Sequence, residues 1–298
     1  MQNTQEMVRQ NSSIRLFLSG FNQNEQDILS SWLSSRPETT CRVYRSEIGR
    51  LKDEYPGRSL LDLKAPDLEH HMGRLSHLKL ASQRRSRASI QSFYSWAVLH
   101  GAIQKDPSLT LKKIEAPEGL SGRILSETEV QRILALENDP RHHALLSFLY
   151  YGGVRVSEAC SLSWKQVEPR EQGRGQVTVI GKRNKERVIL LPEAVFSELI
   201  RLKGLKGELD PVFCSTRDEK GKLDPSQVFR IVKWAAIRAG ISKSVSPHWF
   251  RHAHVSHALD RGCPAHLVQA TVGHASLATT TKYSHARPSD SSARYLGV

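Results

Sequence analysis

Between Asp106 and Gly122 the apolar periodicity of the chain stops, and Pro107, Pro117, Gly119 and Gly122 punctuate the gap. This break cuts 298 residues into two lengths, each long enough to bury a core of its own. The sequence therefore predicts a helical domain over residues 22–105, a linker over 106–122 and a second domain over 123–298. The polar opening, residues 1–21, is expected to be a disordered tail.

Ahead of the break the spacing is helical throughout. Ile28, Leu29, Trp32 and Leu33 share one face, and Pro37 closes that helix. A second helix runs from Glu38 through Val43 and Ile48 to Leu51, and a third spans residues 68–78. A fourth, residues 82–100, carries Ile90, Phe93, Trp96 and Ala97 on one side, with no strand signal anywhere in this half. After the break, Ser126-Glu127-Thr128-Glu129 has the pattern of a capping box ahead of Val130, Ile133 and Leu134. An apolar helix over residues 144–151 ends at Gly152-Gly153. Val177 to Ile180 and Val188 to Leu191 flank the polar turn Lys182 to Glu186, which predicts a β-hairpin. Helices return at 192–203 and 225–239, the second stopped by Gly240. The fold class expected is mostly α with a small antiparallel β-sheet.

Charge narrows the partner. Lys and Arg number 43 against 30 Asp and Glu, a net +13. Cations outnumber anions 17 to 13 up to residue 118 and 26 to 17 beyond it, so a polyanion can run across both domains. The four cysteines lie far apart without a CxxC pair, which argues against a zinc cluster or a disulfide framework and fits a reducing cytoplasm. No apolar run approaches the length of a membrane span, and the start has no signal-peptide core.

Four short segments carry chemistry-bearing side chains. In Gly152-Gly153-Val154-Arg155-Val156-Ser157-Glu158 an arginine follows a glycine turn and opens a helix, where its planar fork can meet a phosphate. Taken alone, it reads equally as a surface arginine paired with Glu158. Gly181-Lys182-Arg183-Asn184-Lys185-Glu186-Arg187 places four cations in a hairpin turn, which is either a groove-entering loop or a solvated tip. His248 and Arg251, three apart, share a helix face; His248 alone could be a structural histidine. In the fourth segment Ser276 is a candidate N-cap that sets Tyr283 two turns into a short helix, although a lone tyrosine is usually packing. His274 stands just ahead of that cap. No carboxylate cluster is present to hold metal ions, and no GxxxxGK[ST] phosphate loop occurs. Phosphoryl transfer can instead rest on fixed positive charge around the phosphate and on a phenol nucleophile.

In this order the four segments resemble the signature of the tyrosine recombinases (phage integrases), and are most similar to the simple Xer-type members. Gly153-Val154-Arg155-Val156-Ser157-Glu158 matches the family's GLRVSE box, and residues 179–187 match its VIGKGNKER hairpin. Ser246-Pro247-His248 through Arg251-His252 to His257 matches the SPHxLRHxFxTH box, with Trp249 and His254 as departures. Val272-Gly273-His274, Thr279-Thr280 and Tyr283-Ser284-His285 match LGHxxxxTTxxYTH. The resemblance implies a helical core-binding domain followed by a mixed α/β catalytic domain. It implies that Arg155 and Arg251 clamp the scissile phosphate, that Lys182 protonates the leaving 5′ oxygen with Lys185 as rival, and that His248 assists proton transfer at Tyr283. His274 would bond a phosphate oxygen, and Tyr283 would form the 3′-phosphotyrosine link. Neither metal nor cofactor is implied. The implied partners are double-stranded DNA with paired sites and a homotetramer, or a heterotetramer with a paralogue. Lys79, Arg84, Arg85, Arg87, Arg183 and Lys185 are expected to touch DNA, the two domains closing around the duplex as a C-shaped clamp, and the protein is expected in the cytoplasm on the nucleoid. Two other readings remain open: a type IB topoisomerase, and a DNA-binding protein without catalysis.

Overall fold

The computed structural model describes residues 17–115, 121–181, 184–215 and 221–286. The chain forms two compact units, one up to Glu118 and the other from Gly119.

The first unit is helical: α1 (Gln23–Ser34), α2 (Glu38–Glu54), α3 (Ala65–Arg74) and α4 (Leu80–Leu99). Asn22 and Glu25 exchange side-chain-to-amide hydrogen bonds of 2.9 and 3.1 Å, so α1 starts on a complete capping box. Its buried Trp32 stacks on Tyr44 at 4.7 Å and meets Phe93 edge-on at 5.3 Å. Leu29, Ile48, Leu51, Ile90 and Tyr94 complete the centre of this core. The expected linker begins with structure. Pro107–Thr110 form a 3₁₀ turn, Leu111 is buried, and the Leu111 carbonyl accepts two hydrogen bonds from Arg87 at 3.1 and 2.9 Å. Apolar packing of Leu111 thus carries the first unit several residues past the point where periodicity fades.

The second unit holds α5 (Glu127–Ala135), α6 (Pro140–Tyr151), α7 (Val156–Ser161), α8 (Glu193–Arg201), α9 (Pro225–Arg238), α10 (Pro247–Asp260), α11 (Ala265–Val272) and α12 (Leu277–Ala286). Between α7 and α8 lies an antiparallel sheet in the order β1 (Val167–Pro169), β2 (Gly175–Ile180), β3 (Glu186–Leu191). Val177 faces Ile189 across the β2–β3 register, and Val177, Val179, Ile189 and Leu191 are buried while Val188 and Leu190 are exposed. That alternation is the period of a sheet with one face on a core. The third strand, β1, gave no sequence signal because only three residues pair. Residues 144–150 of α6 are all buried, which explains the continuous apolar run read from the sequence. A smaller cluster of Ile124, Val255, Val268 and Val272 encloses the ring of Tyr283.

Candidate active site

The site begins where α6 ends. Gly153 has φ +57°, and a Cβ there would lie 2.7 Å from the His254 ring and 3.0 Å from Val272. Only glycine allows the chain to pass so close to α10 and α11 in this conformation. The turn presents the Gly153 carbonyl to Arg251 Nη1 at 2.6 Å and delivers Arg155 to the N-cap of α7. There the Arg155 amide and Nη1 bond the two oxygens of Glu158 at 2.7 and 2.8 Å, and Nη2 reaches the Gly273 carbonyl at 3.2 Å. The Arg155–Glu158 pair anticipated from the i, i+3 spacing exists, but it is part of a larger network.

Glu158 is the hub of that network, a wider role than the local partner of Arg155 that the sequence suggested. Its carboxylate also receives Arg187 Nη1 at 2.9 Å and Nη2 at 2.8 Å. Burial on its own would raise the Glu158 pKa. The hydrogen bonds from Arg187 and Arg155 overturn that and bring it down to about 2. The carboxylate is therefore ionised at any working pH.

Arg251 is buried on α10. Its Nη1 is satisfied by Gly153, whereas its Nη2 is buried without a hydrogen-bond partner. Burial, reinforced by Arg155, pushes its pKa down to about 9, so it remains a cation near neutrality. A buried guanidinium nitrogen without an acceptor is costly unless an anion supplies one. With Arg155 alongside, the chemistry of this donor pair fits a phosphate oxygen.

Tyr283 enters from α12, whose first turn is capped by Ser276 (Ala278 N–H to Oγ, 3.2 Å). The Tyr283 hydroxyl bonds His252 Nδ1 at 2.6 Å, and its ring lies near parallel to His274, 6.2 Å between centroids. His274 Nδ1 in turn bonds the Thr280 hydroxyl at 3.0 Å. The imidazole that holds the phenol is thus His252, one turn beyond His248 on α10. His252 belongs to the same family box, but the resemblance assigned the proton-transfer role to His248 and none to His252. The i, i+4 spacing of the two histidines, with ring centroids 6.5 Å apart, was the signal available. Burial raises the Tyr283 pKa, and Arg251 counteracts this. His248 lies at the solvent edge; packing around its ring, then Arg251 and Arg155, lower its pKa.

Five of the six expected catalytic residues (Arg155, His248, Arg251, His274 and Tyr283) thus converge on one region of the second unit. The sixth, Lys182, lies outside the described residues, as does Arg183. Lys185 is exposed and lines a cavity of about 550 Å³ with Arg155, Gly181, Arg187, Gly273 and His274. In the first unit Lys79 and Arg84 are exposed, Arg85 pairs with buried Glu47 at 3.3 Å, and Arg87 holds the Leu111 carbonyl. Among the described residues no set of three or more His, Cys, Asp or Glu side chains is arranged to hold a metal ion, and no described helix is long and apolar enough to cross a membrane.

The buried imidazoles set an acid limit on stability. His252, His254 and His274 each have a pKa near 4, first because burial disfavours the cation. An unfolded histidine takes up its proton near pH 6.5, so the unfolded chain binds more protons between pH 6.5 and 4, and folding weakens as pH falls through that window. The rings are only partly enclosed, so solvent screening moderates the share of each, and the losses add over the three. The midpoint of thermal unfolding is expected to drop steeply from pH 7 to 5; a flat profile would contradict neutral burial of these rings.

A model of the phage integrase family matches residues 123–290. Tyrosine recombinase XerD of Shewanella oneidensis is 33% identical over 268 residues, an alignment covering 83% of this chain and 86% of the relative. Among solved structures, XerH site-specific recombinase bound to a palindromic difH substrate in a post-cleavage complex superimposes with TM-score 0.70 at 20% identity, over 83% of this chain and 76% of that one. A lambda integrase tetramer bound to a Holliday junction gives TM-score 0.70 at 20% identity, over 86% of this chain and 75% of that one. The motif order, the mostly helical fold with its small sheet, and a family match over more than half the residues agree: the chain belongs to the phage integrase family, the tyrosine recombinases.

Proposed function

We propose that this protein is a site-specific recombinase that cuts and rejoins duplex DNA through a 3′-phosphotyrosine intermediate on Tyr283. The observation that carries the reading is the unsatisfied, buried Nη2 of Arg251 beside Arg155, in the same cluster as a buried phenol. The phenol oxygen attacks the scissile phosphorus, the bond to the 5′ oxygen breaks, and that oxygen leaves with a proton from Lys182. Arg155 and Arg251 hold the charge that builds on the non-bridging oxygens, and His274 adds a hydrogen bond. The phenol proton passes to His252, which holds that hydroxyl at 2.6 Å, and His248, the adjoining imidazole at the solvent edge, assists its transfer. A 5′ hydroxyl from the partner strand then attacks the phosphotyrosine and restores both the diester and the phenol. Phosphodiester bonds are conserved, so the cycle draws on no nucleotide.

The same reading assigns the working form to four copies on a pair of sites, following the assembly named for lambda integrase, and places it with DNA in the cytoplasm. Sequencing the DNA captured covalently in cells tests this. Recombination predicts enrichment at paired sites and products that require two of them. Adducts scattered over the genome, with relaxation of single-site plasmids, would instead identify a topoisomerase.

The first unit supplies backbone contacts. Lys79→Ala and Arg84→Ala are expected to weaken DNA binding and reduce its dependence on salt by about one counterion each. Arg85 and Arg87 already have protein partners, so Arg87→Ala is expected to act on stability, by about 1 kcal/mol, through the freed Leu111 carbonyl. Equal salt slopes for wild type and the Lys79/Arg84 double variant would remove these two from the interface.

A further inference from the structure

We propose that Arg187 is a positioning residue for the phosphate clamp: it keeps Arg155 available to DNA by sharing the Glu158 carboxylate and by fixing the turn that bears His274. This rests on the recombinase reading of the site.

The sequence shows Arg187 only as the last cation of the hairpin. In the fold it sits on β3, paired with Val179 of β2, and it is almost enclosed, with 12% of its side chain exposed. Its guanidinium makes three bonds to two other elements. Nη1 and Nη2 meet Glu158 of α7 as a bidentate fork at 2.9 and 2.8 Å, and Nε meets the Thr271 carbonyl in α11 at 2.7 Å. Gly273 lies against the same side chain: with φ +67°, a Cβ there would come 3.2 Å from Arg187 Cδ and 3.3 Å from Nη1. The Gly273 carbonyl is the one that receives Arg155 Nη2. Arg187 therefore touches, on one side, the carboxylate that orients Arg155 and, on the other, the backbone that anchors Arg155 and leads into His274.

Charge makes the second half of the case. Glu158 is a single buried anion shared by two guanidiniums. Both of its oxygens are shared, Oε1 between the two Nη1 atoms and Oε2 between Arg187 Nη2 and the Arg155 amide; without Arg187 its whole charge falls to Arg155, which is then neutralised by an undivided anion and presents less charge to a phosphate. With Arg187 in place, the cavity is lined by three cations, Arg155, Lys185 and Arg187, against one anion, Glu186, and the Glu158 charge behind it is divided between two guanidiniums. A lysine keeps the charge but cannot reach three acceptors with a rigid fork.

The test is a double-mutant cycle in single-turnover cleavage of a duplex known to be cut by the wild-type protein, with folding checked by thermal melting and DNA binding measured separately. Arg187→Gln is expected to bind DNA within about threefold of wild type and to form the covalent adduct on the order of 10- to 100-fold more slowly. Arg187→Lys is expected to fall between the two. In an Arg155→Lys background the further substitution Arg187→Gln is expected to cost less than about threefold, because the group it positions is already gone. A role in overall folding alone would give the same loss in both backgrounds. If Arg187→Gln does not fold, Arg187→Lys is put through the same cycle. The proposal is overturned if the folded variant cleaves within twofold of wild type, or if its deficit is undiminished in the Arg155→Lys background. Failure to find any duplex on which the wild-type protein forms an adduct would instead overturn the recombinase reading itself.

Discussion

Arg251→Met is expected to lower DNA cleavage by on the order of 10³-fold or more while leaving the fold at least as stable as wild type. The two halves of this expectation have one cause. The Arg251 guanidinium is buried, its Nη2 has no partner, and Arg155 sits near enough to depress its pKa further. A pKa brought from 12.5 to about 9 corresponds to roughly 5 kcal/mol by which the folded protein disfavours the cation it carries. An apolar side chain of similar length removes that penalty and fills the same space, and it gives up the bond to the Gly153 carbonyl, about 1 kcal/mol, which the relieved penalty exceeds. What is lost is a preorganised donor pair at the place where charge develops. Thermal melting and single-turnover cleavage on the same preparation separate the effects. A large fall in melting temperature with little loss of cleavage would show that Arg251 serves the fold and not the phosphate.

Tyr283→Phe is expected to abolish covalent adduct formation completely and to leave DNA affinity unchanged. The ring is enclosed by Ile124, Val255, Val268 and Val272, and phenylalanine keeps all of that packing. Among the described residues the interaction removed is the hydroxyl's bond to His252, worth about 1 kcal/mol of stability. The substitution takes away the proposed nucleophilic oxygen itself, so the expected effect on chemistry is complete where the effect on structure is small. In the resting protein the phenol is neutral: burial raises its pKa, and His252, with a pKa near 4, is an unprotonated acceptor for its hydrogen. Residual adduct in the phenylalanine variant would mean that a different side chain attacks the phosphate.

Much of this arrangement was legible before any coordinates. Helical spacing gave the four helices of the first unit, and Gly152-Gly153 located the turn that presents Arg155. The i, i+3 spacing of His248 and Arg251 put both on α10, and Ser276 set the start of the helix that carries Tyr283. Motif order then told which side chains belong together. What escaped depended on distance in the chain. Glu158 reads as a local partner of Arg155, and only folding brings Arg187, 29 residues away, into the same pair. The i, i+4 spacing puts His252 on the same face as His248, but only folding brings it to a hydroxyl 31 residues further on. Leu111 extends the first unit because its carbonyl finds Arg87, a contact invisible where periodicity has stopped. The short strand β1 pairs over three residues and leaves no alternation to detect.

In the proposed cycle the Tyr283 oxygen becomes bonded to the 3′ phosphate of cleaved DNA. The most direct test of that bond is peptide mapping, by mass spectrometry, of the adduct trapped on a duplex nicked next to the cut, after nuclease digestion leaves a short 3′ remnant. The account predicts the remnant on the peptide containing Tyr283, attached to that residue, with the 5′ end of the departing strand free. A remnant on any other residue, or a strand cut without a protein link, would contradict it.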